Sequence, residues 1–109
     1  MNNNLDVYIR ELEFLKRDLV ILMEGWPQDS SFLQAKEHVE LLSKLLPDQI
    51  NFLKSDRDYI DQTELYDLRS KIENLIQLSD DRCVKEKFSE YYAMVDSLIN
   101  YFLSRRGRS

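Results

Sequence analysis

Apolar residues recur along this chain at alternating steps of three and four, and that spacing restricts it to packed helices. Leu5, Tyr8, Leu12, Leu15, Leu19 and Leu22 form the clearest run, the seam of a helix lying at a shallow angle on its neighbours. Phe32, Ala35, Val39, Leu42 and Leu46 repeat the pattern, followed by Leu65, Leu68, Ile72 and Leu75. Val84, Phe88, Tyr91, Val95, Leu98 and Phe102 make a fourth stripe. No strand-like alternation, internal repeat or low-complexity segment competes with these. Four amphipathic segments with short connections predict an all-α fold, a single-domain antiparallel four-helix bundle. Residues 1–104 are expected to form the bundle domain and residues 105–109 a basic flexible tail.

The breaks between stripes carry their own signals. Asn3 or Asn4 can cap the first helix. Its end reads Glu24-Gly25-Trp26-Pro27, where Gly25 suits a left-handed position, Trp26 can fold back on Ile21, and Pro27 blocks continuation. Ser31-Phe32-Leu33-Gln34 predicts a capping box for the second helix. Pro47 is expected to end or kink that helix near Leu46, with a short helical extension or extra helix beyond it, since Ile50 and Leu53 stay in phase with Leu46. Ser55 with Asp58, or Asp61 with Glu64, are the alternative starts of the third helix. Ser79-Asp80-Asp81 supplies caps and dipole-favourable acids for the fourth, whose last turn carries Arg105 and Arg106. Val7, Ile9 and Phe14 on the first helix, and Tyr92, Ile99 and Leu103 on the last, lie outside the main stripes. Such wide faces mark a central place in the bundle or a surface for a second chain.

Few residue types suited to catalysis are present: one histidine, one cysteine and two glycines in 109 residues. Neither Gly25 nor Gly107 opens a phosphate-cradling loop, since both stand where helices should stop. His38 on a bundle helix raises the phosphotransfer reading, but Leu41 and Leu42 occupy the positions where such modules place lysine and glycine. A di-metal bundle needs Glu-x-x-His pairs, and Ala35 stands three before the only histidine. The run from Asp56 to Asp61 loosely suggests a calcium loop, yet Ile60 takes a ligand position and no glycine makes the turn. Cys83 lies beside Arg82 and near Lys85, an environment that lowers a thiol pKa, with no base close in sequence. The expectation is a protein that is not an enzyme and uses no cofactor and no metal. One cysteine, no signal-like amino terminus and no long apolar run point to a cytoplasmic protein without membrane or disulfide.

Charge points toward a macromolecular partner. The net charge is −5, and without the three tail arginines the body holds 12 basic against 20 acidic side chains. That balance repels nucleic acid and steers encounter with a basic protein. Asp56, Asp58, Asp61, Glu64 and Asp67 crowd one short stretch with only Arg57 as counter-charge, bordered by Tyr59 and Tyr66. Like charges at i, i+3 spacing cost a few tenths of a kcal/mol per pair, which a purely structural helix could avoid. Tyrosines rimmed by carboxylates supply aromatic anchors and electrostatic steering, and Tyr92 on the last helix is a further surface anchor. The candidate partner-binding residues are therefore Asp56, Asp58, Tyr59, Asp61, Glu64, Tyr66, Asp67 and Tyr92. Bacterial immunity proteins, antitoxin-like inhibitors and phage-encoded inhibitors share this physical profile, so a nuclease toxin is one expected type of partner. The rival expectation is a structural homodimer or scaffold held by the surplus apolar faces. Phosphotransfer through His38 is the third.

Overall fold

The computed structural model describes residues 3–55 and 62–106. Four helices follow one another: α1 Asn3–Gly25, α2 Phe32–Lys54, α3 Gln62–Leu78 and α4 Arg82–Arg106. Each packs on the next in chain order and α4 returns to α1, while α1 and α3, like α2 and α4, stand diagonally without close backbone approach among the described residues. This is the antiparallel four-helix bundle, a rod of 49 × 21 × 21 Å. Both the α1–α2 and the α3–α4 connection lie at one end of it.

The apolar stripes all turn inward. Leu12, Leu15 and Leu19 of α1, Leu42 and Leu46 of α2, Leu65, Leu68, Ile72 and Leu75 of α3, and Val95 and Leu98 of α4 exclude solvent completely. Each buried leucine contributes about 1.5–3 kcal/mol of transfer free energy, which is why helices of ordinary propensity hold together here. Of the residues outside the stripes, Ile99 is buried, Ile9 and Tyr92 are half-buried, and Val7, Phe14 and Leu103 are exposed.

Several local expectations are corrected. α2 runs unbroken through Pro47 to Lys54, with Ile50 and Leu53 buried, so the proline does not stop it and the in-phase extension beyond Pro47 is part of the same helix. The ring removes one N–H, and apolar burial on both sides of it offsets that loss. Gly25 is the last residue of α1 rather than a left-handed cap beyond it. α1 begins at Asn3, so Asn3 and Asn4 both belong to the helix rather than preceding it. Ser31 makes no capping bond to α2. Its Oγ donates instead to Asp29 and accepts the Trp26 indole N–H at 3.0 Å, so the tryptophan claims the hydroxyl that a capping box would use. Ser55 closes α2 by donating to the Phe52 carbonyl at 2.7 Å. The other expected caps of α3, Asp58 and Asp61, lie outside the described residues, as does Gly107. Asp81 does cap α4, accepting from the N–H groups of Cys83 at 2.8 Å and Val84 at 3.3 Å.

Candidate functional site

Two regions of the surface combine charge with aromatic or apolar side chains. The first is the α3–α4 face, where the sequence places its tyrosines. Arg69 of α3 pairs with Asp96 of α4, and its guanidinium lies 5.1 Å from the Tyr66 ring centre and 5.9 Å from that of Tyr92. Tyr66 and Tyr92 are thus brought together, but around an arginine of the chain itself. Two cation–π contacts of about 0.5–1 kcal/mol each, added to a part-exposed ion pair, fix both rings. Arg69 and Asp96 were not among the sequence candidates. On each helix the local pairs were visible, Tyr66–Arg69 at i, i+3 and Tyr92–Asp96 at i, i+4; their meeting across helices depends on register.

The remaining strip residues separate. Glu64 is half-buried and accepts a bond from the Gln49 amide of α2, so it faces the bundle. Asp67 is exposed. Asp56, Asp58, Tyr59 and Asp61 lie outside the described residues. Asp67 and the outer edge of Tyr66, 40% exposed, are what the described part of this strip offers a partner.

The second region is a cleft of about 250 Å³ at the end of the bundle where both connections meet. Leu22, Trp26, Leu78 and Val84 give it an apolar floor, and Ile21, 58% exposed, forms one wall. Asp29, Asp80 and Asp81 stand at its rim. Local turn chemistry holds two of these acids in place. Asp29 accepts both the Ser31 hydroxyl and the Ser31 N–H, bonds that hold its carboxyl below the ordinary carboxylate range. Asp81 caps α4, and its own N–H is taken by Ser79 Oγ at 3.1 Å. Asp80 makes no hydrogen bond or ion pair among the described residues. In the sequence, Gly25-Trp26-Pro27 and Ser79-Asp80-Asp81 are two separate helix boundaries. The up-down-up-down connectivity makes them neighbours.

His38, on α2, is half-buried with Nδ1 enclosed and unpartnered among the described residues. Burial lowers its pKa first, the positive charge of Lys71 on α3 lowers it further, and Glu37 opposes both. Cys83 is exposed at the start of α4, the helix diagonal to α2, so the two groups do not form a nucleophile–base pair. Among the described residues no cluster of histidine, cysteine and carboxylate side chains has metal-binding geometry, and none of the helices is long and apolar enough to cross a membrane.

The sign of the His38 shift gives a stability prediction. The unfolded chain, with an ordinary histidine pKa of about 6.5, takes up the proton more readily than the folded one. The neutral ring therefore stabilises the fold above that pH, and this stabilisation is lost as pH falls through the window below 6.5. Urea midpoints at pH 7 and pH 5 should drop more for the native chain than for His38→Gln. Equal drops would mean the imidazole is not responsible.

Comparison with known protein families, with curated proteins and with solved structures finds no match for this chain.

Proposed function

We propose that this chain is a small acidic helical binding module that neutralises a basic protein, acting as an inhibitor or immunity-type protein of the cytoplasm. The observation that carries the reading is an excess of carboxylates left uncompensated at the loop end of the bundle. Glu24 closes α1, where the helix dipole disfavours an acid and no basic residue offsets it. Asp29, Asp80 and Asp81 stand nearby, while two basic side chains at the start of α4 are engaged elsewhere. Arg82 pairs with Glu86 at 3.6 Å, and Lys85 donates to the Ile76 carbonyl at 2.9 Å. A surface of this kind raises the encounter rate with a positively charged active site and masks it on docking. The strip from Asp56 to Asp67 belongs to the same acidic balance.

The test is salt dependence with a defined partner. A protein recovered on the immobilised chain at low salt is expected to be basic, and its purified form should lose roughly tenfold or more in affinity between about 50 and 300 mM NaCl. Glu24→Lys and Asp80→Lys, both at exposed positions of the loop end, should each weaken it several-fold. Affinity indifferent to salt and to both reversals would reject the reading.

One observation favours the homodimeric scaffold instead: Val7, Phe14 and Ile21 stand exposed at seven-residue spacing along one face of α1. Sedimentation separates the two, since a scaffold gives a stable dimer that ignores ionic strength.

A further inference from the structure

The loop-end cleft has a chemistry narrow enough to define what enters it. Several of its hydrogen-bond donors are engaged within the turn: Trp26 Nε1 on Ser31, the Ser31 N–H and O–H on Asp29, and the Asp81 N–H on Ser79. The charged groups at the rim are the carboxylates of Asp29, Asp80 and Asp81, which accept hydrogen bonds and donate none. The floor is apolar, and Trp26 beneath it is nearly solvent-free. The volume, about 250 Å³, has room for a bulky aliphatic side chain.

Resting on the basic-partner reading above, we propose that this cleft is the anchor site of that partner. It receives one bulky aliphatic side chain from an extended segment whose flanking residues are lysine or arginine. The apolar group covers Leu22, Trp26 and Val84 and shields the exposed wall at Ile21. The flanking cations meet Asp29, Asp80 and Asp81. Two of those carboxylates are already oriented by Ser31 and by the start of α4, so their ordering is complete before the partner arrives. Charge complementarity selects a basic segment over an acidic one.

Trp26 is the single tryptophan of the chain and reports on the cleft by its fluorescence. The probes are acetylated, amidated pentapeptides: KRLKR, KRSKR without the aliphatic group, and EDLED with the charges reversed. KRLKR should change Trp26 emission saturably, and loss of the leucine side chain should weaken it about tenfold or more. Asp80→Asn should cost KRLKR about threefold, a rim-charge effect that raised salt also produces. Ile21→Ser should weaken KRLKR several-fold and leave KRSKR unchanged. Both variants alter exposed side chains, and an unchanged urea midpoint confirms that they are folded. No saturable response to KRLKR, or equal binding of KRLKR and KRSKR, overturns the anchor. Equal binding of KRLKR and EDLED overturns the preference for a basic segment and counts against the basic-partner reading as well. A full-length basic partner whose salt-dependent affinity is untouched by Ile21→Ser and Asp80→Asn overturns the anchor alone.

Discussion

Asp18→Ala is expected to destabilise the fold by about 1–2 kcal/mol, chiefly the cost of leaving the Tyr91 phenol without its acceptor. Asp18 is the polar clasp between α1 and α4. Its side chain is only 12% exposed, accepts the Tyr91 hydroxyl, and pairs with Lys87 at 3.1 Å. α1 and α4 approach each other less extensively than any other neighbouring pair, so a single clasp counts for more there. Asp18→Asn keeps an acceptor and should lose less than alanine. Tyr91→Phe leaves Asp18 with Lys87, and should cost about 1 kcal/mol. The double variant should cost less than the sum of the singles, since the two groups serve one interaction. Urea unfolding with an unchanged slope measures each difference. A loss under about 0.5 kcal/mol for Asp18→Ala would mean water replaces the clasp at no cost.

The same clasp sets an alkaline limit. Burial raises the Tyr91 pKa, and the neighbouring Asp18 carboxylate raises it further, both by acceptance of the phenol proton and by charge. The unfolded tyrosine ionises near pH 10 while the folded one keeps its proton. Its contribution is therefore complete below that pH and declines as pH rises beyond it.

What could be read from the chain and what could not divides along a physical line. Helical periodicity is local, so the stripes from Leu5 to Phe102 identified the core of each helix and, with short connections, the bundle. Boundaries were less legible because each depends on competition for one group. Ser31 would cap α2 if the Trp26 indole and Asp29 did not both reach its hydroxyl. Pro47 would stop α2 if Ile50 and Leu53 were not buried beyond it. The site was least legible for the same reason: Tyr66 and Tyr92 read as surface anchors until Arg69 is placed between them. Glu64 read as one tooth of an acidic strip until Gln49 is placed beside it. The cleft required two helix boundaries 50 or so residues apart to share one end, a fact of topology rather than of spacing.

Leu68→Ala is expected to cost about 3 kcal/mol, within the usual 2–5 for a fully enclosed leucine whose neighbours cannot collapse into the space. Leu68 excludes solvent entirely at the middle of α3, among the stripes of the other helices. A chain of 109 residues is stable by roughly 5–15 kcal/mol, so this one methyl-bearing branch carries a large share of the margin. Val7→Ala supplies the contrast. Val7 is 56% exposed on α1, and its truncation should change stability by no more than about 0.5 kcal/mol in a monomer. The pair also separates the two functional readings. A protein that neutralises a basic partner leaves Val7 in water, and its urea midpoint should not depend on protein concentration. A homodimer covering Val7, Phe14 and Ile21 makes Val7→Ala costly, more so as the chain is concentrated, because association and folding are then linked. Leu68→Ala destabilises in either case, so a small effect there would contradict the bundle core itself. A concentration-dependent loss at Val7 would instead move the functional surface from the acidic loop end to the apolar face of α1.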